Sequence, residues 1–177
     1  MKNKSFILLV LLISAVSVSS CHKDSPVVYS ISSQDFVTHA ASSFNFQIQA
    51  GNLAMAKGLN DSVKSYGTVM VSDNTTAYAA LKTLATQKGL MVSTTLQAAD
   101  QTNLNSLSTQ TGEAFDQAYA QMMVLTHNQE LAFFNLGSQY NGVADADLRT
   151  FAFNQLPLLS LRLQSAYSLQ TIVATKQ

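Results

Sequence analysis

Four residues draw attention because each is polar within an otherwise apolar helical stripe: Gln49, Asn74, His127 and Arg162. Asp73 stands beside the second of them. Imidazole and carboxylate groups are metal ligands, and a guanidinium suits carboxylate or phosphate. If a bundle set these side chains at one height, they could form a ligand cluster. They could equally form a hydrogen-bonded network that does no chemistry, because buried polar groups need partners. The network is the simpler reading. Neutral amides are poor ligands for a di-metal centre, a guanidinium cannot ligate, and the charge on Arg162 would repel a bound cation. The sharper reading is a pocket for a small polar or anionic ligand around Arg162, which Asp73 would cancel by pairing with it.

No other constellation competes. There is no G-x-S-x-G, no H-E-x-x-H, no Gly-rich phosphate loop and no Cys-x-x-Cys-His. His39 lies four residues after Asp35 and could form an exposed contact with it. Met122-Met123 and Phe133-Phe134 read as core packing. The expectation is a protein that is not an enzyme and carries no cofactor and no metal.

His127 lies within residues 122–134, the middle of a helical run over 112–140. Ala120, Met123, Val124, His127, Leu131 and Phe134 share one face at steps of three and four. A run over 34–59 carries Phe36, Val37, Ala41, Phe44, Ile48 and Met55, with Gln49 on a second stripe beside Phe46, Leu53 and Ala56. A run over 62–88 carries Val63, Tyr66, Met70, Ala77, Leu81 and Leu84, with Asn74 among them. A last run over 145–176 carries Leu148, Phe151, Ala152, Leu159, Ala166 and Leu169, with Arg162 on the same face. Pro157 predicts a kink near Asn154. Residues 90–95 read as extended and 96–109 as a shorter connecting helix.

Four amphipathic runs, each about 40 Å long at 1.5 Å per residue, predict an all-α fold. It is a four-helix bundle with a helical crossover between the second and third long helices. Gly89 and Asn141-Gly142 mark the stops.

Of the residues, 47% are hydrophobic and 11% charged, with 10 Lys+Arg against 10 Asp+Glu. The charged share is far below the usual figure of about 25%. No basic face exists for nucleic acid or for broad electrostatic attraction to a membrane.

The start of the chain carries different information. Lys2 and Lys4 precede an apolar run over 6–18, too short to span a bilayer, and Val18-Ser19-Ser20-Cys21 follows. Cys21 is the only cysteine, so no internal disulfide exists. The sequence resembles the signal and lipobox of bacterial lipoproteins. That resemblance implies a signal peptide over 1–20, acylation of Cys21 as the new N-terminus, and a tether over 21–33 to a bundle domain over 34–177. The residue after the cysteine is His22 rather than Asp, which in lipoproteins favours the outer membrane over the inner. The implied partners are the membrane, through the lipid, and an unidentified protein or small polar ligand.

Residues 34–169 resemble the bacterial envelope family known as domain of unknown function 4142, described as ferritin-like. The carrying segments are FVTHAA at Phe36, GNLAMAKGLNDSVKSYGTVMVSD from Gly51 to Asp73, and LATQKG before Leu90. Farther on come GEAFDQAY from Gly112, then His127, then LPLLSLRLQSA from Leu156. The resemblance implies a ferritin-like bundle. It implies a ligand set with Glu at the position of Gln49, His at Asn74 after Asp73, a carboxylate-His pair at Thr126-His127, and His at Arg162. Here only Asp73 and His127 remain of it. The expected function is therefore a lipid-anchored envelope protein with a non-catalytic bundle serving binding or structure. The alternatives are a ferritin-like metal- or oxidant-handling protein, and a carrier or sensor of a small polar ligand.

Overall fold

The computed structural model describes residues 27–174. The leader and residues 21–26 of the tether, including Cys21 and His22, lie outside the described residues, as do residues 175–177. The described chain folds as an all-α bundle of five helices: α1 (Ser33–Lys57), α2 (Asp61–Gln87), α3 (Ala98–Ser108), α4 (Gly112–Ser138) and α5 (Ala146–Ala174). Residues 90–97 join α2 to α3 outside any helix or strand, with a bend at Thr95, so the connecting helix starts two residues later than expected.

Local chemistry sets the ends. The Ser32 hydroxyl accepts from the Asp35 amide at 3.0 Å and donates to its carboxylate at 2.6 Å, tying off the first turn of α1. Asn60 caps α2 through the Ser62 amide, and Asp145 caps α5 through the amides of Asp147 and Leu148. Gly89 takes the left-handed conformation, φ 67°, that closes α2. The Leu90 amide then bonds to the Ala85 carbonyl and the Gly89 amide to that of Thr86, which satisfies carbonyls a helix end leaves bare. Pro157 does not interrupt α5, which runs unbroken through it. The carbonyl of Phe153, four residues earlier, loses its helical donor, but Phe153 and Pro157 are both on the exposed face, where water can replace it.

The long helices pair as two hairpins, α1 with α2 and α4 with α5. Gly51 and Gly67 let the first pair approach closely: a Cβ on Gly67 would lie 2.7 Å from the Gly51 carbonyl oxygen. The first turn of α1 meets the last turns of α4 where Phe36 packs edge-on to Phe134 at 5.4 Å. The start of α2 meets the start of α4 where Asp116 accepts from the amides of Leu59 and Asn60. Hence α2 and α4 run parallel, and the chain between them must return along the bundle. It does so over α1: Ser42 accepts from the Gln97 amide and donates to Asp100, while Lys57 bonds to the Ser108 and Gln110 carbonyls at the end of α3.

The apolar core has two halves. One gathers Phe46, Met70, Phe115, Tyr119, Met123 and Leu169. The other gathers Phe36, Phe44, Leu81, Phe134, Leu148 and Leu159. A layer of polar side chains separates them.

Candidate functional site

Each long helix sends side chains into this layer: Ser43 and Gln47 from α1, Tyr66, Asp73 and Asn74 from α2, His127 and Glu130 from α4, Arg162 from α5. The spacings explain the meeting. Ser43 and Gln47 are one turn apart, as are His127 and Glu130, so each pair shares one face of its helix.

Glu130 is the hub. Its Oε1 accepts from the Ser43 hydroxyl and from Gln47 Nε2, both at 2.7 Å, and its Oε2 lies 3.3 Å from His127 Nδ1. A carboxylate only accepts, so Nδ1 carries the proton, and in that tautomer Nε2 is left as an acceptor. The Tyr66 hydroxyl, 2.8 Å from Nε2, supplies the donor. Burial drives the Tyr66 pKa well above the usual phenol value; Arg162 opposes this and Glu130 adds to it. The phenol therefore stays a donor. Gln47 Oε1 receives Asn74 Nδ2 at 3.3 Å, and the same Nδ2 donates back to the Met70 carbonyl at 2.8 Å. The chain of hydrogen bonds so runs from α2 through α1 and α4 back to α2.

Arg162 is the exception. It is only 3% exposed, and its NH2 lies 3.4 Å from Asp73 Oδ2. That is an ion pair by distance but lacks hydrogen-bond geometry, and Nε, NH1 and NH2 find no hydrogen-bond partner, nor does Asn74 Oδ1. Asp73 is one third exposed, so the pair reaches the edge of the bundle.

Of the residues singled out from sequence, Asn74, His127 and Arg162 enter the layer, and Asp73 pairs with Arg162. Gln49 does not. It is exposed, on the flank of α1 that faces α3, in a groove with Asn52, Leu53, Leu104 and Asn105. Gln47 occupies the core position, two residues and about 200° earlier on the helix. The ligand position that the family resemblance placed at residue 49 is therefore not in the core. His39 also differs from expectation: its Nδ1 meets Gln97 Oε1 at 3.1 Å and its ring packs on Phe133, while Asp35 belongs to Ser32. Sequence reasoning missed Ser43, Gln47, Glu130 and the role of the Tyr66 hydroxyl. The available signal was Glu130 three residues after His127, the one acid in α4 beyond its first turns.

Chemically, the layer is closed. Both His127 nitrogens and both Glu130 oxygens are engaged by protein groups, and Ser43, Gln47, Asn74, His127 and Glu130 are buried. A metal could take either residue only by breaking those bonds. Among the described residues, no three His, Cys, Asp or Glu side chains lie close enough to hold one. The ligand set implied by the resemblance does not fit a metal here.

Four long helices around one buried polar layer define a helical-bundle protein with a largely self-satisfied core. The chain belongs to the family described as Domain of unknown function (DUF4142), which matches residues 21–169. No curated protein and no solved structure matches it.

Proposed function

We propose that this is a lipid-anchored cell-envelope protein whose bundle is a non-catalytic binding or structural module. One observation carries the non-catalytic part. The donors and acceptors of His127 and Glu130 are used up within the protein, at a depth no substrate reaches. The anchor rests on the basic start, the short apolar run and the lone Cys21 behind small residues. Outer-membrane sorting rests on His22 in place of Asp.

Elemental analysis of the full chain, purified without chelator and then exposed to iron or manganese, tests the first part. Substoichiometric metal is expected; a stoichiometric metal with redox turnover would establish the ferritin-like alternative. Mass spectrometry of the membrane fraction tests the second, with an acylated Cys21 at the N-terminus expected and an unmodified, released chain refuting it.

A second reading has its own support in the three Arg162 nitrogens that make no hydrogen bond, one of them ion-paired with Asp73, and in the bare Asn74 Oδ1. These groups could take a small polar or anionic ligand. Thermal unfolding with added phosphate or acetate decides: a stabilisation that Arg162→Leu abolishes favours the ligand, and an identical response in both chains rejects it.

A further inference from the structure

We infer that the bundle end formed by residues 27–31, the 90–95 connector and the α4–α5 turn rests on the surface of a lipid bilayer, the apolar side chains of Val28, Met91 and Tyr140 forming the contact. This rests on the reading of Cys21 as a lipid anchor.

The apolar residues standing farthest into solvent gather at this end. Val28 is 82% exposed, Met91 80% and Tyr140 77%, and Tyr29 is exposed beside them. They come from three separate segments, and hydrogen bonds hold those segments together. The Ser30 amide bonds to the Asn141 carbonyl at 2.8 Å, the Ile31 amide to that of Gly142 at 3.1 Å, and the Ala144 amide returns to Ile31 at 3.2 Å. Met91 is fixed to the first turn of α1 by two hydrogen bonds with the Gln34 side chain, its amide donating to Oε1 at 3.0 Å and its carbonyl accepting from Nε2 at 2.9 Å. The contact is thus built on backbone pairing between residues 30–31 and 141–144 and on the Gln34 clamp at Met91. At the opposite end Leu59 is the one comparable apolar side chain among the described residues.

The chain itself says what covers this end. Six Cα steps separate Cys21 from Val27, a span of at most about 20 Å. The bundle is about 40 Å long by its helices. A lipid on Cys21 therefore pins the end where residues 27–31 are stapled down. The patch is too small for a stable dimer, which needs about 800 Å² and 20–30 residues a side. A tethered surface needs far less, because the anchor raises the effective concentration of every weak contact. Tyrosine also belongs at a lipid–water boundary, with its ring among acyl chains and its hydroxyl in water.

Charge decides the type of lipid. Lys88 is taken by Asp145 at 3.1 Å and by Asp147, Arg149 bonds to the Val143 carbonyl and lies over the Tyr29 ring, and Asp35 is tied to Ser32. Among the described residues the cations nearest the contact, Lys88 and Arg149, are engaged within the protein, and Lys82 stands more than a turn back from the end of α2, so docking works by apolar insertion and is indifferent to lipid charge.

The test uses the full chain in phosphatidylcholine vesicles, with single cysteines at 91 or 140 and, at the far end, at 59 or 110, each carrying an environment-sensitive fluorophore. Cys21 takes no label when acylated, so labelling there reports failure of the anchor. The expected result is a blue shift and protection from an aqueous quencher at 91 and 140 only, unchanged by adding phosphatidylglycerol. All four labels quenched on a membrane-bound chain overturns the docking and leaves the anchor standing. If Cys21 proves unmodified, vesicles are added to the released chain, and labels at 91 and 140 that then stay in water overturn the docking as well. Protection at 91 and 140 without lipid means self-association and overturns it too. Val28→Ser, Met91→Ser and Tyr140→Ser together, all on exposed positions, should leave the helical signal intact and lower vesicle partitioning of Cys21→Ser several-fold.

Discussion

Glu130→Leu against Glu130→Gln gives the sharpest check on the polar layer. Leucine removes the acceptor for Ser43, Gln47 and His127, all buried. Each orphaned buried donor costs about 1–3 kcal/mol. The three share one hub and can partly relax, so we expect about 3–5 kcal/mol in all, the range for breaking a buried polar network at one partner. Glutamine should cost much less, about 1 kcal/mol. Its carbonyl can still accept from Ser43 and Gln47, while its amide now donates toward His127. That requires the imidazole to switch tautomer: Nδ1 becomes the acceptor and Nε2–H donates to the Tyr66 oxygen. Tyr66 has somewhere to send its own proton, the Arg162 carbonyl at 3.3 Å. Urea unfolding at constant m-value measures both variants. Nitrogen shifts of His127 report the proton on Nδ1 in the parent chain and on Nε2 in Glu130→Gln. A Leu variant within 1 kcal/mol of the parent, or a Gln variant as unstable as Leu, would refute the hub assignment.

Gly67→Ala should destabilise by about 1–3 kcal/mol in the same assay despite alanine's better helix propensity, because its Cβ would meet the Gly51 carbonyl oxygen at 2.7 Å. Burial raises the phenol pKa of both Tyr66 and Tyr119, with Arg162 opposing the shift at Tyr66 and Tyr66 adding to it at Tyr119. Their contribution is full below about pH 10 and falls as the pH rises past it, since the unfolded chain then loses protons the folded one keeps. Phenolate absorbance from these two should therefore develop only with loss of helical signal. At Asp145 burial acts to raise the pKa, but bonds from the Leu148 amide, Lys88 and the Asp147 amide outweigh it and leave the pKa lowered. Its stabilisation is present above about pH 4 and lost as the pH falls through the lowered value. Asp145→Ala should cost about 1 kcal/mol at neutral pH and nothing in strong acid, read by thermal unfolding.

The fold was legible because each helix announces itself. Asn60, Gly89 and Asn141-Gly142 stop the runs, and the stripes on α2, α4 and α5 are narrow enough to fix which face is inward. That is why Asn74, His127 and Arg162 could be placed from spacing alone. α1 defeats the same logic. It is covered by α2 and α4 on one side and by α3 on another, so Leu53 is apolar on a flank that faces α3 rather than the bundle's centre, while Phe46 lies in the core. Gln49 shares the flank of Leu53, so periodicity points it inward, whereas Gln47 occupies the core position without an apolar stripe to mark it. Glu130 was missed for a different reason. A glutamate on a helix normally faces water, and only its partners, contributed by a helix some 85 residues away, reveal that this one does not. Tyr66 was seen as an apolar stripe member, which it is, but its hydroxyl has no periodicity to betray it.

A bundle with two adequate apolar halves does not need a polar layer for stability, so its use must be sought in register. Ser43–Glu130, Gln47–Glu130, Tyr66–His127 and Asp73–Arg162 all join one hairpin to the other. A slip of either hairpin by one helical turn, 5.4 Å, would break all four at once, whereas apolar stripes re-engage after a turn with modest loss. The long α3 connection does not prevent such a slip by itself. Replacing the layer with apolar side chains of similar volume should then separate stability from uniqueness. In a chain with Ser43→Ala, Gln47→Leu, Tyr66→Phe, Asp73→Ala, Asn74→Leu, His127→Leu, Glu130→Leu and Arg162→Met, every side-chain contact the layer makes between the hairpins is gone, while the Asp116 bonds to the Leu59 and Asn60 amides and the Lys88–Asp145 pair remain at the ends. The expected outcome is an unfolding midpoint at or above the parent's, with a lower m-value and broadened amide resonances from hairpins sampling more than one register. A single sharp set of resonances with the parent's m-value would show that the polar layer is not what sets the register.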